Sequence, residues 1–163
     1  GGRSHAKNGK RRSVRKDRFE NCLNEGTMNG IIYRSDRKIS AAEFIDILNR
    51  STLGLRRPVH DLQRIGKMLE HGNVLITAWS NNVLVGVSRA LTDFSFCCYL
   101  SDLAVDEAFQ HQGIGKRLID ETHRVAGDQT TLILLAAPAA ANYYPKINME
   151  RFTDCFLIQR KVK

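Results

Sequence analysis

No apolar run in this 163-residue sequence approaches the length needed to span a bilayer, and no secretory leader is visible, so a soluble, cytoplasmic chain is expected. The four cysteines (Cys22, Cys97, Cys98 and Cys155) form no C-x-x-C pair, and reduced structural thiols are the expectation. Cys97 and Cys98 are adjacent on a predicted strand and point to opposite faces, so at most one reaches the core. His60, His71 and His123 have no Cys, His or Glu partner at ligand spacing, and no metal is expected. Internal repeats and low-complexity segments are also missing. A chain of this length makes one domain that can bury a core without disulfides or metal.

The formal net charge of +8 suggests a nucleic-acid partner, but it is unevenly spread. Residues 1–27 carry eight Lys and Arg against Asp17, Glu20 and Glu25, a net of +5, and the remainder carries +3. That segment has few apolar residues beyond Val14, Phe19 and Leu23, and it opens Gly-Gly-Arg-Ser-His. It reads as a basic tag or disordered tail, with Met28 a candidate natural start and a functional nucleic-acid arm the rival reading. The folded domain is assigned to residues 28–163.

From Met28 the pattern gives an ordered series of elements. Gly30–Arg34 is a short strand. Ser40-x-x-Glu43 is a capping box ahead of Phe44, Ile47 and Leu48, and predicts a helix to about Ser51. Pro58 is expected to start a second helix that buries Leu62, Ile65, Met68 and Leu69 and ends at Gly72-Asn73. Strands at Val74–Ser80 and Val83–Leu91 flank Asn81-Asn82, a tight-turn pair that tolerates positive φ. Phe96, Leu100, Leu103 and Val105 form the next strand. Ile114, Leu118, Thr122 and Val125 recur at helical spacing, and Gly127 stands where a left-handed cap is expected. A buried strand over Thr131–Ala136, a short helix opened by Pro138 and a closing strand over Cys155–Val162 complete the series.

Between that central strand and helix lies Gln110-His111-Gln112-Gly113-Ile114-Gly115-Lys116-Arg117. Gly113 and Gly115 remove side chains where the helix begins, so unpaired N–H groups and the positive end of the dipole face outward. A dinucleotide fingerprint would need glycine at Leu118, and a P-loop would need Ser or Thr at Arg117. The pattern that does fit is Gln110-x-x-Gly113-x-Gly115. It resembles the Q/R-x-x-G-x-G/A signature with which the GNAT superfamily of N-acetyltransferases binds the pyrophosphate of acetyl-CoA. A second segment, Ala140-x-x-Tyr143-Tyr144-x-Lys146-Ile147, is similar to that family's A-x-x-F/Y-Y-x-K-x-G-F. Here the family's Gly-Phe is Asn148-Met149, and an Asn often found three positions before the Ala is Ala137. The likeness covers about 135 residues.

The resemblance implies an α/β (α+β) fold: a mixed, mostly antiparallel sheet splayed between its fourth and fifth strands, flanked by helices, with the cofactor in the gap. It implies acetyl transfer from acetyl-CoA to a primary amine, on a small molecule or peptide, by direct attack in a ternary complex. Backbone groups of Leu103, Ala104 and Val105 would meet the acyl and pantetheine portions. The loop Gln110, His111, Gln112, Gly113, Ile114, Gly115 and Lys116 would hold the pyrophosphate, with Asn142 a substitute for the missing side chain. Tyr144 would protonate the departing thiolate, while Tyr143 packs into the core. Asp102 is a general-base candidate acting through water, or else a buried acceptor that holds the strands. Alternation places it on the face of Leu100 and Ala104 unless a bulge intervenes. The Leu53–Arg57 loop and the strands around Trp79 would border the amine, and Arg56 and Arg57 would suit an acceptor bearing a carboxylate or phosphate. A homodimer is left open.

A catalytically silent acyl-CoA-binding module and a nucleic-acid-binding protein are the rival classes. Deleting residues 1–27 separates the last of these from the others. Acetyl-CoA affinity, followed by thermal shift, is expected to stay unchanged; loss of nucleic-acid binding on the same deletion would favour the basic arm.

Overall fold

The computed structural model describes residues 30–161. Five strands, β1 (Ile31–Arg34), β2 (Val74–Ser80), β3 (Val83–Thr92), β4 (Cys97–Val105) and β5 (Thr131–Ile133), form one sheet in sequential order. The first three pairings are antiparallel and β4 with β5 is parallel. Helices α1 (Ala41–Arg50) and α2 (Leu62–His71) cover one face, and α3 (Ile114–Ala126) covers the other. The tail reading of residues 1–27 lies outside the described residues.

Local chemistry explains where the elements begin and turn. Ser40 and Glu43 form the expected reciprocal box, and α1 buries Phe44, Ile47 and Leu48. Asn81 and Asn82 take φ of 46° and 66° at the β2–β3 turn, the left-handed pair that a type I′ hairpin requires. At the β3–β4 turn the Asp93 carboxylate accepts the backbone N–H groups of Ser95, Phe96 and Cys97. Those three donors lower its pKa to about 2. Cys97 is exposed and Cys98 is buried, as alternation demands.

Two buried hydroxyls fix α3 against the sheet. Thr122 Oγ1 donates to Leu118 O at 2.7 Å and lies 2.6 Å from Ser88 Oγ of β3. Gly86 of β3 provides the clearance, because a Cβ there would stand 3.1 Å from Leu118 Cδ1 and 3.2 Å from Ile114 Cγ2.

Several expectations are corrected. The second helix starts at Leu62, capped by Asp61, which accepts from Arg64 N–H at 2.9 Å; Pro58 belongs to the turn before it. Leu62 consequently sits in the first turn, 60 % exposed, and leaves the buried face to Ile65, with Met68 and Leu69 partly covered. The strand after α3 ends at Ile133, and it is a half-exposed edge. Beyond it, Pro138–Ala140 and Tyr144–Ile147 are separate 3₁₀ turns, and residues 155–161 pair with no strand among the described residues. β5 pairs through only three residues, which leaves little ladder for a further strand to extend. Gly127 does take a positive φ of 101°, but with ψ 144°, outside the left-handed helical region.

The core assignment has a direct check. Phe44→Ala should lower unfolding free energy by about 3–5 kcal/mol, whereas Leu62→Ala should change it by no more than about 0.5 kcal/mol. Urea denaturation of the two variants measures both.

Candidate active site

β4 is the strand around which the site is assembled. Its pairing with β5 covers only Cys97–Tyr99, so from Leu100 to Val105 one side of β4 has no strand beside it among the described residues. This opening is the splay expected between the fourth and fifth strands. Asp106 N–H donates to Val85 O at 2.9 Å on the β3 side. Because ladder residues alternate in direction, Asp102 and Ala104 also address β3, whereas Leu103 and Val105 turn their N–H and C=O groups toward the open side. Of Leu103, Ala104 and Val105, only Leu103 and Val105 thus turn backbone groups to the open side. Val105 O accepts Gln110 Nε2 at 3.2 Å, which ties the following loop to the strand end.

A bulge divides β4 into two functional halves. Arg89 pairs with Asp102 but Ala90 pairs with Leu100, leaving Ser101 as the extra residue. Cys98 and Leu100 consequently pack with α3, while Ala104 packs with α1 and α2. Asp102 shares the face of Ala104 and not that of Leu100.

On that face Asp102 is fully buried and held by two guanidinium groups. Arg57 Nε donates to Oδ1, and Arg89 Nε donates to Oδ2 at 2.6 Å. The same two side chains satisfy the bulge itself: Arg57 Nη2 donates to Ser101 O at 2.7 Å, and Arg89 Nη2 to Ser101 Oγ at 2.9 Å. Arg89 Nη1 also donates to Met68 O at 3.1 Å, at the C-terminal end of α2, where a cation complements the helix dipole. A third arginine, Arg50 of α1, bonds Asp106 beyond β4 and donates to Leu84 O at 2.7 Å. Arg89 was not singled out in the sequence reading. Its signal is a lone charge in the otherwise uncharged strand Val85–Ala90, which calls for a buried partner.

The loop after β4 presents the N-terminus of α3. Gly113 is the N-cap, with φ 80° and ψ 0°, and no side chain caps the first turn. Its N–H groups thus remain available to an anion at the positive end of a thirteen-residue helix. Space beside Gly113 is open, so glycine is required there for its left-handed backbone. Gly115 is required for clearance: a Cβ would stand 2.9 Å from Tyr143 Oη and 3.8 Å from Val105 Cγ2. The start of α3, the open end of β4 and the tyrosine turn thus converge on Gly115. Gln110, His111, Gln112 and Lys116 are exposed around it, and Ile114 is buried beneath. Lys116 bonds Asp120 at 2.7 Å, and Arg117 pairs with Glu121 at 2.7 Å while its guanidinium lies 5.9 Å from the Tyr33 ring.

Tyr143 and Tyr144 stack edge to face, with centroids 5.3 Å apart. Both rings are partly buried and pack against the core on the α3 side, Tyr143 as expected. Burial raises the Tyr144 pKa, and the charge of Arg56 pulls against that rise. Asn148 adopts φ 67° and ψ 27°, the left-handed conformation that lets Asn replace the glycine of the family pattern. Asn142 is exposed in the preceding turn. Trp79 of β2 is buried with α1 and α2, beneath the Arg37 guanidinium 3.5 Å from its ring centroid.

A sequence model described as the Acetyltransferase (GNAT) family matches residues 41–149. The chain belongs to that family. GNAT folds resemble it closely in three dimensions at low identity. A GNAT family acetyltransferase from Streptococcus pneumoniae TIGR4 superposes with a TM-score of 0.64 at 19% identity, over 80% of this chain and 99% of that one. An aminoglycoside acetyltransferase from an uncultured soil metagenomic sample, in complex with sisomicin, gives 0.62 at 21% identity over 82% and 98%. The aminoglycoside N-acetyltransferase AAC(6')-Iy in complex with CoA gives 0.63 at 15% identity over 81% and 95%. Within the GNAT frame the uncapped α3 start and the open side of β4 are the features of this chain that fit an acyl-CoA. Among the described residues, no group of three or more His, Cys, Asp and Glu is placed to hold a metal ion, and no helix is long and apolar enough to cross a membrane.

Gly113→Val puts a β-branched side chain on a left-handed backbone and should abolish thermal stabilisation by acetyl-CoA. Gly113→Asn, which tolerates that backbone, should retain most of it. Equal stabilisation of the Val variant and wild type would remove this loop from the cofactor site.

Proposed function

We propose that this protein is an N-acetyltransferase that moves the acetyl group of acetyl-CoA to a primary amine of a small molecule or peptide by direct attack in a ternary complex. The observation that carries the reading is the convergence on Gly115 of an uncapped helix start, the open edge of β4 and the tyrosine turn. An anion-binding helix end within reach of unpaired strand groups suits a cosubstrate that is anionic at one end and amide-bearing at the other.

The residues then take distinct roles. The N–H groups of Gly113, Ile114, Gly115 and Lys116 receive the pyrophosphate, with Gln110, His111 and Gln112 shaping the approach and Asn142 flanking it. Leu103 and Val105 offer backbone groups to the pantetheine and acyl carbonyl, and Ala104 holds their register through its pairing with Val87. When bound, the thioester supplies the acetyl group and a thiol leaving group. Tyr144 holds the proton for that thiol: burial keeps its phenol protonated above the usual range, and Arg56 nearby makes it the better donor. Asp102, with both oxygens engaged, anchors the Arg57 loop instead of accepting the amine's proton, which passes to solvent. Uncompensating Arg89 by removing Asp102 would cost about 3–5 kcal/mol, a magnitude that suits an anchor.

The test is Tyr144→Phe, which deletes one hydroxyl and keeps the ring packing. Turnover with one identified amine should fall roughly 10²–10⁴-fold with acetyl-CoA affinity unchanged. The alkaline limb of the kcat profile, where the phenol ionises, should vanish in the variant. An acetyl donor with a more acidic thiol should recover part of the loss. Equal kcat in variant and wild type, with chemistry rate-limiting, would exclude Tyr144 from the reaction.

A further inference from the structure

The turn that carries Arg56 is held rigidly at the edge of the opening. It spans Leu53–Arg56, closes with Arg57 N–H donating to Gly54 O at 3.1 Å, and is seated so tightly that a Cβ on Gly54 would meet Asn49 Oδ1 at 2.3 Å. Arg57, next in sequence, is consumed by Asp102 and Ser101 O of the bulge. Arg56 is exposed, and among the described residues no carboxylate pairs with it.

The local charge is unbalanced. Arg57 and Arg89 share a single carboxylate, Asp102, whose two oxygens are both taken, Asp106 just beyond β4 is taken by Arg50, and Arg56, next to Arg57 in sequence, has no carboxylate partner among the described residues. The rim of the opening therefore carries surplus positive charge, one unit of it on a side chain free to bind. Against the rise that burial causes, the Arg56 charge also lowers the pKa of Tyr144.

We infer that the acceptor amine also bears an oxyanion, a carboxylate or a phosphate, and that Arg56 binds it. Arginine suits this task because its planar fork meets two oxygens at once. An anion held on Arg56 sets the amine at a fixed distance from it, on the Tyr144 side of the opening. A polycationic acceptor meets the same surplus as repulsion, which separates this chain from the aminoglycoside enzymes whose fold it shares. The inference names the substrate class of the acetyltransferase reading and so rests on it, but binding can be measured apart from turnover.

The experiment uses the full chain with two matched amine pairs, β-alanine against propylamine and phosphoethanolamine against ethanolamine, with kanamycin as a polycation. Dissociation constants are measured by calorimetry on CoA-loaded protein, and kcat/KM by thiol release with acetyl-CoA. At least one anionic member should be favoured by roughly 10–100-fold over its neutral partner, the range for one charged hydrogen-bonding contact. The pair that shows the preference tells carboxylate from phosphate. Arg56→Ala should erase the preference, Arg56→Lys should keep part of it, and acetyl-CoA affinity should stay within about twofold, since no cofactor phosphate is assigned to this side chain. No preference in either pair, better use of kanamycin, or a preference that survives Arg56→Ala would overturn the inference. So would loss of acetyl-CoA affinity in Arg56→Ala, which would reassign the side chain to the cofactor. Arg56-dependent anion binding without thiol release from any amine would uphold it and count instead against the catalytic reading.

Discussion

Burying a carboxylate is costly unless the charge is met, and Asp102 is met twice, by Arg57 from the α1–α2 connection and by Arg89 from the neighbouring strand. Around this triad the rest of the site takes its position. Ser101 is left without a ladder partner by the bulge, and the same two arginines supply one, so the irregular stretch of β4 is closed without a further strand. The Arg57 contact fixes the loop on one side of the opening. The Arg89 contact fixes the C-terminal end of α2, where Gly72 leaves room for the arginine stem. Helix, loop and strand are thereby referenced to one another through a single carboxylate.

The bulge also lets one strand serve two cores. Upstream of Ser101 the inward side chains of β4 join the α3 layer, and downstream they join the α1–α2 layer. A uniform strand would keep Leu100 and Ala104 on one face. The reversal orients the Leu103 and Val105 backbone toward the open side while their side chains still pack with α3. Stability and an accessible backbone edge are obtained from the same residues because backbone and side-chain directions are perpendicular in a strand.

Much of this was legible in the amino acids. The capping box at Ser40, the Asn81-Asn82 turn and the paired glycines of the α3 start are local signals, each with a stereochemical cause confined to a few residues, and each is found where it was read. The start of α2 was misplaced because Pro58 suits a first helical position in isolation, whereas the Asp61 side chain supplies the cap three residues later. The face of Asp102 was undecidable locally: a one-residue bulge is set by pairing with β3, and nothing between Tyr99 and Val105 announces it. The closing strand at Cys155–Val162 was read from composition alone, and strand propensity depends on a partner that the short β5 does not extend to it.

That unpaired C-terminal stretch has a consequence for handling the protein. Phe156, Leu157 and Ile158 are exposed, Ile158 completely, and among the described residues the last strand of the sheet, with its half-exposed Ile133, pairs on one side only. An exposed apolar run and a strand edge of this kind are each templates for self-association between copies. Arg160 and Lys161 follow the run after Gln159, and in-register stacking of identical chains would bring these like charges within about 5 Å of each other. They act as gatekeepers, and their effect is screened by salt. Colloidal stability of this protein should therefore be a property of ionic strength as much as of the fold.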